Sequence, residues 1–302
     1  MSNDLLVLEK EIVKPEEPTF MIAGFTQWAN AGNVSTGIPE YLIEKLHARR
    51  VGHILKDDFY IFQLPGSHFM FRPPVKYVEG YEENYQEEPI NDFHYAEISE
   101  KGLIIFIGTE PNQHEDVYVN TLLDGAKELG VERIIVPAGV GGEVPFDKER
   151  LVSCTYSLKQ MQKELKNYAV TFSNYDKNAT IGMVINHYSK KRGIESLRMS
   201  ARTPSYQVPL TTYSDKRAMY DILRRIRYMF EINLDLSDLE KESKRQIADF
   251  ENELKRLYMD NPDIELQITT YMQQIGERFE ELKFEEPTKI PDVFLKELND
   301  LI

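Results

Sequence analysis

Glu110 and Asn112 are the polar side chains of this sequence that are best placed for chemistry. They lie in the segment 108–112, directly after the most apolar run of the chain, residues 103–107. A run of this kind is typical of a strand covered on both faces, and open α/β sheets place their ligand crevices at the carboxyl ends of such strands. Glu110 could act there as an acid, a base or a ligand. The alternative is that Glu110 and Asn112 stabilise the start of the following helix.

A second candidate is the glycine-rich segment 139–142, in which Gly141 and Gly142 are adjacent. Glycine-rich loops at strand ends can present backbone N–H groups to an anion. The segment matches neither the phosphate-loop pattern, since no lysine follows, nor the dinucleotide fingerprint, and the residues after it are acidic. We therefore interpret it as a structural turn and keep anion binding as the alternative.

Trp28 and Asn30 lie between an apolar run at 20–25 and a helical pattern that begins near Val34. A tryptophan in such a loop either covers the sheet edge or contributes to an interface, where tryptophan is enriched. Together with the residues above, these two define the predicted pocket or interface. It comprises six residues: Trp28, Asn30, Glu110, Asn112, Gly141 and Gly142.

Other chemistries have little support in the sequence. The six histidines show no HExxH pair or other metal-ligand spacing, and no GxSxG elbow is present. Cys154 has no histidine near it in the sequence, so we predict a small core residue rather than a nucleophile. We predict no metal site and no cofactor, and the sequence favours a protein that is not an enzyme.

The apolar runs predict alternating strands and helices. Residues 103–107 and 133–138 form two strands that flank a helix over 115–129. Such a βαβ unit should have parallel strands. The alternation continues to about residue 209, after which Ser214 is expected to cap the last core helix. The fold class is therefore α/β.

The C-terminal part of the chain is rich in helix formers and charged residues. Residues 237–240 have the sequence of a capping box, and apolar residues at three-and-four spacing predict two long helices separated by a turn at 260–263. These helices would form an αα-hairpin, and a last short helix is expected over 292–302. We divide the chain into two parts: an α/β core domain, residues 1–234, and a C-terminal helical extension, residues 235–302.

Composition excludes several functional classes. The 302 residues carry 36 basic and 50 acidic side chains, and the net charge of −14 repels phosphate backbones and anionic membranes. The single cysteine suits a reducing compartment, and the first residues lack the pattern of a signal peptide. We expect a cytoplasmic protein that binds neither nucleic acid nor membranes.

Five segments together resemble the motifs of a known family. They are residues 24–32, 108–112, 141–145, 193–206 and 235–239. The first resembles a Gly-Phe and Trp-x-Asp-Ala-Gly signature, and the second resembles a Gly-x-Glu-Pro-Asn block. Their order and spacing agree over nearly the whole chain with the proteasome assembly chaperone family, which includes bacterial and archaeal homologues of the second eukaryotic chaperone.

The resemblance implies a three-layer α/β/α sandwich like that of phosphorylases and nucleoside hydrolases. It also implies protein partners, proteasome-related ones among them, and homo-oligomers, with trimers favoured. Some members are labelled as ATP-grasp ligases, but this sequence has no glycine-rich ATP loop and no paired metal carboxylates to support that label.

Three positions depart from the family pattern. Asn30 stands where the family often has Asp, which removes a carboxylate that an enzyme would need. Residues 145–149 read Pro-Phe-Asp-Lys-Glu where many bacterial members read Pro-His-Thr-Arg-Pro. Residues 299–302 lack the hydrophobic-Tyr-x ending by which proteasome activators dock, so docking through the tail is not expected.

These observations leave two hypotheses. The first is a protein-binding scaffold, similar to an assembly chaperone, that uses its sheet-edge loops and its C-terminal helices. The alternative is a small-molecule-binding protein or an enzyme, either phosphorylase-like or an ATP-dependent ligase, with a crevice at the carboxyl ends of the strands.

Overall fold

The computed structural model describes most of the chain. The described residues are 4–9, 18–56, 59–61, 75–85, 89–205 and 214–286. The predicted helix over 292–302 and the predicted absence of a docking tail concern residues outside these ranges.

The structure contains eleven strands and seven helices within the described ranges. The strands are β1 (Leu6–Leu8), β2 (Thr19–Thr26), β3 (Arg49–Ile54), β4 (Val75–Val78), β5 (Tyr81–Tyr85), β6 (Asn91–Ile98), β7 (Lys101–Thr109), β8 (Val131–Gly142), β9 (Val152–Tyr156), β10 (Thr171–Phe172) and β11 (Glu195–Pro204). The helices are α1 (Val34–Lys45), α2 (Glu115–Glu128), α3 (Met161–Leu165), α4 (Ile181–Arg192), α5 (Lys216–Met229), α6 (Ser237–Asp260) and α7 (Pro262–Arg278).

Nine of these strands form one mixed sheet in the order β1-β3-β6-β7-β2-β8-β11-β9-β10. The central strands β7, β2, β8 and β11 are parallel, and β6 and β9 pair antiparallel with β7 and β11. The predicted parallel βαβ unit is confirmed, with one difference. β7 and β8 are not neighbours, because β2 lies between them and pairs with both.

Helices cover both faces of the sheet. Alternate residues of β2 and β7 point to opposite sides, as expected for a strand that is covered on both faces. Met21 and Phe106 pack with α2 and α4, whereas Ile22 and Ile105 pack with α1 and α5. The predicted three-layer α/β/α architecture is confirmed.

Glycines allow the closest approach of α1 to the sheet. A Cβ on Gly24 of β2 would lie 1.9 Å from the carbonyl oxygen of Ser35, and a Cβ on Gly139 of β8 would lie 1.9 Å from that of Ala31. Real Cβ atoms never come this close to a carbonyl oxygen, so any other residue would push the loop before α1 away from the sheet. Both glycines lie where the predicted site is built.

Three local predictions are wrong. Residues 139–142 are not a turn but the last part of β8, because they pair with β11 as far as Gly142 and Pro204. Asp215, not Ser214, caps α5, since its Oδ1 accepts the N–H of Ala218 at 2.9 Å. The predicted capping box of α6 does not form, because the helix begins at Ser237 itself and the cap residue makes no side-chain bond.

The C-terminal helical hairpin is present as α6 and α7. Leu236 and Leu239 belong to the same core cluster as α1 and α5, and Phe284, beyond the hairpin, is buried in that cluster too. Phe250 of α6 packs edge-on against Phe146, with ring centroids 4.8 Å apart. The boundary between residues 234 and 235 therefore stays a prediction. None of the helices in the described ranges is long and apolar enough to cross a membrane.

Candidate functional site

The predicted site lies at the carboxyl ends of β2, β7 and β8, and Glu110 is its centre. Glu110 directly follows β7, and its backbone N–H donates to the carbonyl oxygen of Thr26 at 3.1 Å. The backbone N–H groups of Ile181, the first residue of α4, and of Trp28 lie near its carboxylate and act on its pKa. A carboxylate at a helix N-terminus is favourable, because it compensates the partial positive charge there. Glu110 therefore joins three elements of the fold.

Burial raises the pKa of Glu110 above its ordinary value of 4.5. The two backbone donors lower it in part, and the nearby charge of Glu115 raises it further. The predominant effect is desolvation, which disfavours the ionised form. The carboxylate therefore has backbone N–H groups of the protein itself beside it, which favours a structural role.

Asn30 has a similar structural role at the start of α1. Its Oδ1 accepts the N–H groups of Ser35 at 2.8 Å and Thr36 at 3.2 Å, and its Nδ2 donates to Thr36 Oγ1 at 3.1 Å. These bonds satisfy backbone donors that the first turn of a helix leaves free. An aspartate could accept the same two N–H groups but could not donate to Thr36. The departure of Asn30 from the family pattern is therefore compatible with capping.

The remaining polar positions are distributed along the edge. Asn112 accepts the N–H of Ile61 at 2.7 Å through its Oδ1, so it holds the segment 59–61. Gly141 and Gly142 pair with the end of β11. The structure thus connects Glu110 to Trp28, and Asn30 to β8 through a bridge at Gly139. Asn112 and the two glycines have other neighbours: Asn112 bonds to the segment 59–61, and the glycines pair with the end of β11.

Trp28 is the exception among these residues, because its side chain remains 63% exposed. Beneath it, Ser35 Oγ accepts the N–H of Phe25 at 3.0 Å and the Nε2 of Gln27 at 2.8 Å. The loop is therefore held by hydrogen bonds on its inner side while its largest apolar group faces solvent. Tryptophan and other aromatic residues in such positions are typical anchors of protein interfaces.

The structure also places the residues that other chemistries would need. Cys154 is buried in the core as predicted, and burial raises the pKa of its thiol to about 12, so little thiolate forms at neutral pH. In the part of the chain that the structure describes, no group of three or more histidine, cysteine or acidic side chains is arranged to hold a metal ion.

Sequence reasoning missed a cluster of buried charges on the α1 and α5 side of the sheet. Glu149 Oε1 accepts hydrogen bonds from Arg225 at 2.9 Å, from Arg224 at 3.2 Å and from the N–H of Phe284 at 3.1 Å. The fully buried Asp221 accepts from the N–H of Arg150 at 2.8 Å and from Arg217 at 2.9 Å. Arg217 and Asp221 are four residues apart on α5, but Asp221 is 71 residues from Arg150, and Glu149 is 75 and 76 residues from Arg224 and Arg225. No local pattern could indicate these distant contacts.

Solved structures with the same fold come from bacteria and archaea. A Mycobacterium tuberculosis protein of unknown function matches with a TM-score of 0.75 and 13% identity, covering 98% of this chain and 92% of that one. A proteasome-assembly chaperone homologue of the same organism matches with a TM-score of 0.65 and 18% identity, covering 76% and 94%. The archaeal proteasome activator PbaB of Pyrococcus furiosus matches with a TM-score of 0.60 and 17% identity, covering 83% and 97%.

At these identities the structural similarity shows the fold alone. A comparison with curated proteins finds no match. The model of the PAC2 family matches residues 24–255, which include the motifs around Trp28, Glu110 and Gly141. This match covers most of the chain and confirms the resemblance seen in the sequence: the chain belongs to the PAC2 family.

Proposed function

We propose that this PAC2 family protein is a protein-binding scaffold with a role like that of an assembly chaperone, and that it is not an enzyme. Family membership supports this proposal. So do the names of two relatives of the same fold, one a proteasome-assembly chaperone homologue and the other a proteasome activator. The partner is then another protein, and a proteasome-related one is the first to test.

The observation that carries the proposal is the contrast between Trp28 and the polar residues around it. Asn30 and Asn112 use their side chains to hold the backbone of the edge loops, and the carboxylate of Glu110 lies beside the backbone N–H groups of Trp28 and Ile181. Trp28 is left outside this framework, with most of its surface exposed. A rigid loop that presents one large aromatic side chain fits the anchor of an interface, because little conformational entropy is lost on binding.

A second surface supports protein binding. The strands β4 and β5 form a two-stranded ribbon whose residues are all exposed. Its apolar and aromatic side chains include Tyr77 and Tyr81, the latter 79% exposed. An isolated ribbon of two strands is only marginally stable in water, so contact with another protein surface would stabilise it.

We further propose that the protein acts in the cytoplasm as a homo-oligomer, with a trimer as the favoured assembly. The low cysteine content and the negative net charge support the first statement. The family resemblance supports the second. The copies would meet through exposed apolar groups, and the two surfaces above are the candidates.

Substitution of the two exposed aromatic residues tests the proposal. Trp28→Ala and Tyr81→Ala are compared with wild type for mass in solution, by sedimentation, and for retention of proteins from host lysate. Any retained protein is then purified and its binding is measured directly. Met259→Ala is the matched control, because Met259 is also highly exposed but lies at the tip of the helical hairpin.

We expect Trp28→Ala to keep its fold and to lose either the oligomer or the partner, with binding weakened by a factor of about 30 or more. The Met259→Ala control should behave like wild type. If wild type is monomeric and all three variants bind the same proteins equally well, the scaffold proposal is wrong for these surfaces.

The small-molecule hypothesis keeps one observation in its favour. It does not come from Glu110 but from Arg198, a buried arginine in the middle of β11 on the α4 side of the sheet.

A further inference from the structure

Arg198 is a buried cation in the middle of β11. Its neighbours Leu197 and Met199 point into the core beneath α1 and α5. By strand alternation the side chain of Arg198 points to the opposite face, beneath α4. It pairs in register with Val136 of β8 and Thr155 of β9, and only 6% of its surface is exposed.

No described residue neutralises this charge. The guanidinium of Arg198 makes no hydrogen bond and no ion pair with a described residue, and its Nε is buried without a partner among them. Burial lowers the pKa of Arg198, and among the described side chains Tyr175 is the one that raises it. The residues that follow β11 along the chain, 206–213, include no aspartate or glutamate. A buried arginine without an acidic partner is rare, because desolvating the charge costs several kcal/mol.

The first turn of α4 lies directly over this side chain. A Cβ on Gly182, the second residue of α4, would lie 3.1 Å from Cδ of Arg198 and 3.0 Å from Cγ1 of Val136. Glycine at this position therefore leaves the space that the arginine occupies. The N-terminus of a helix carries partial positive charge, so the helix adds to the positive potential around Arg198 instead of compensating it.

A buried hydroxyl group lies at the same turn. Thr180 immediately precedes α4 and is 1% exposed, yet its Oγ1 has no hydrogen-bond partner in the described structure and does not cap the helix. The carboxylate of Glu110 lies near the N–H of Ile181 on this turn, but it is not among the described charges that act on Arg198. Two polar groups thus remain unsatisfied beneath and beside one helix terminus.

We propose that Arg198, Thr180 and the first turn of α4 form a binding site for a phosphate group, either inorganic phosphate or the phosphate of a small ester. The guanidinium would donate to two phosphate oxygens, and the Thr180 hydroxyl would donate to a third. Phosphate suits the site because it offers several strong acceptors and the negative charge that the arginine lacks. This inference is independent of the protein-binding surface at Trp28.

Calorimetric titration of the full-length protein tests the site. Inorganic phosphate and glycerol phosphate are titrated at constant ionic strength, with acetate and chloride as the other anions. We expect saturable binding of at least one phosphate compound and weaker binding of acetate. The compound that binds more tightly identifies whether free phosphate or an ester is preferred.

Two variants connect the binding to the proposed residues. Arg198→Met keeps the length of the side chain without its charge, and it should weaken phosphate binding by at least about tenfold. Thr180→Val removes only the unpartnered hydroxyl, and it should weaken binding by a smaller factor. Arg192→Met is the matched control, because Arg192 lies at the other end of α4, where it pairs with Asp124; its affinity should equal that of wild type.

Crystals of the unmodified protein give a second measurement that needs no variant. After soaking in tungstate, an anomalous peak should lie beside the guanidinium of Arg198. The proposal is wrong if neither phosphate compound binds saturably, if acetate binds as tightly as both, or if Arg198→Met and wild type bind equally. A tungstate peak that avoids Arg198 would also contradict it.

Discussion

Two buried arginines on opposite faces of the sheet differ in how their charge is satisfied. Arg225 of α5 is completely buried, and its guanidinium donates to Glu149 and to the carbonyl oxygens of Tyr168, Ala169 and Asp221 at 2.7–3.2 Å. Arg198 of β11 is almost as buried and has no such partner among the described residues.

The difference separates an arginine that holds the fold together from one that is free to bind something else. Arg225 connects α5 to the loop after β8 and to the segment around Tyr168, so its bonds are made within the chain. The guanidinium of Arg198 bonds to no described residue, and none of these residues compensates the energetic cost of its burial. A buried charge that costs stability and has no partner among the described residues is more readily explained by a ligand than by packing.

Arg225→Met should have the largest effect on stability. The substitution roughly keeps the volume of the side chain but removes the guanidinium donors of three carbonyl oxygens and of Glu149 in the core. Breaking a buried charge pair in this way costs roughly 3–5 kcal/mol of the free energy of unfolding. Urea unfolding followed by circular dichroism measures this loss.

An exposed arginine gives the matched control for that loss. Arg245 of α6 is mostly exposed and forms a single ion pair with Asp249 at 3.5 Å. Arg245→Met should change the free energy of unfolding by less than about 0.5 kcal/mol. If Arg225→Met is as mild as this control, Arg225 does not hold the fold together and the comparison fails.

Arg198→Met should act in the opposite direction. In buffer without phosphate the variant replaces an unpaired buried charge by an apolar side chain of similar length, so stability should rise by about 1–2 kcal/mol. Addition of phosphate should stabilise wild type more than the variant, because the variant binds phosphate more weakly, and the difference in stability between the two proteins should narrow. The same urea unfolding, with and without phosphate, measures both effects. A loss as large as that of Arg225→Met would mean that Arg198 supports the fold instead.

The part of the fold that depends on local patterns was predictable from the sequence. Apolar runs identified β7 and β8, and helical spacing identified α2 and the hairpin of α6 and α7, because burial of a strand or helix face imposes its period on the chain. The position of β2 between β7 and β8 was not predictable, since strand order depends on long-range packing. The glycines at 139–142 predict a turn because glycines are common in turns, but Gly141 and Gly142 extend β8 and Gly139 accommodates the loop before α1.

The place of Glu110 in the fold was predictable from the sequence, but its contacts were not. The motif predicts a position at the carboxyl end of a strand, and Glu110 directly follows β7. Helix stabilisation is one of the two roles predicted for this residue. The structure shows its carboxylate at the N-terminus of α4, not of the helix that follows it in the sequence. Arg198 was missed, although a charged residue between Leu197 and Met199 in a buried strand was a visible signal.

Glu110 gives the smallest expected effect on the free energy of unfolding. It tests how a carboxylate is satisfied where backbone N–H groups, and not arginine side chains, lie beside it. Its folded-state pKa is raised above 4.5 by burial. Between pH 4.5 and that raised pKa the native state holds a proton that the unfolded state releases, so wild-type stability falls as the pH rises through this window.

Glu110→Gln removes this titration and keeps one oxygen to accept a backbone N–H. The free energy of unfolding of the variant, relative to wild type, should therefore increase as the pH rises from below 4.5 to 7, with a difference at neutral pH of less than about 1 kcal/mol. Thermal unfolding of both proteins over this range measures the trend. A variant that becomes relatively less stable as the pH rises would mean that the backbone donors at Trp28 and Ile181 outweigh burial. In that case the ionised carboxylate of Glu110 would be satisfied by its surroundings, as Glu149 is by its arginine partners. Of Glu110, Glu149 and Arg198, only Arg198 would then require a partner from outside the described residues.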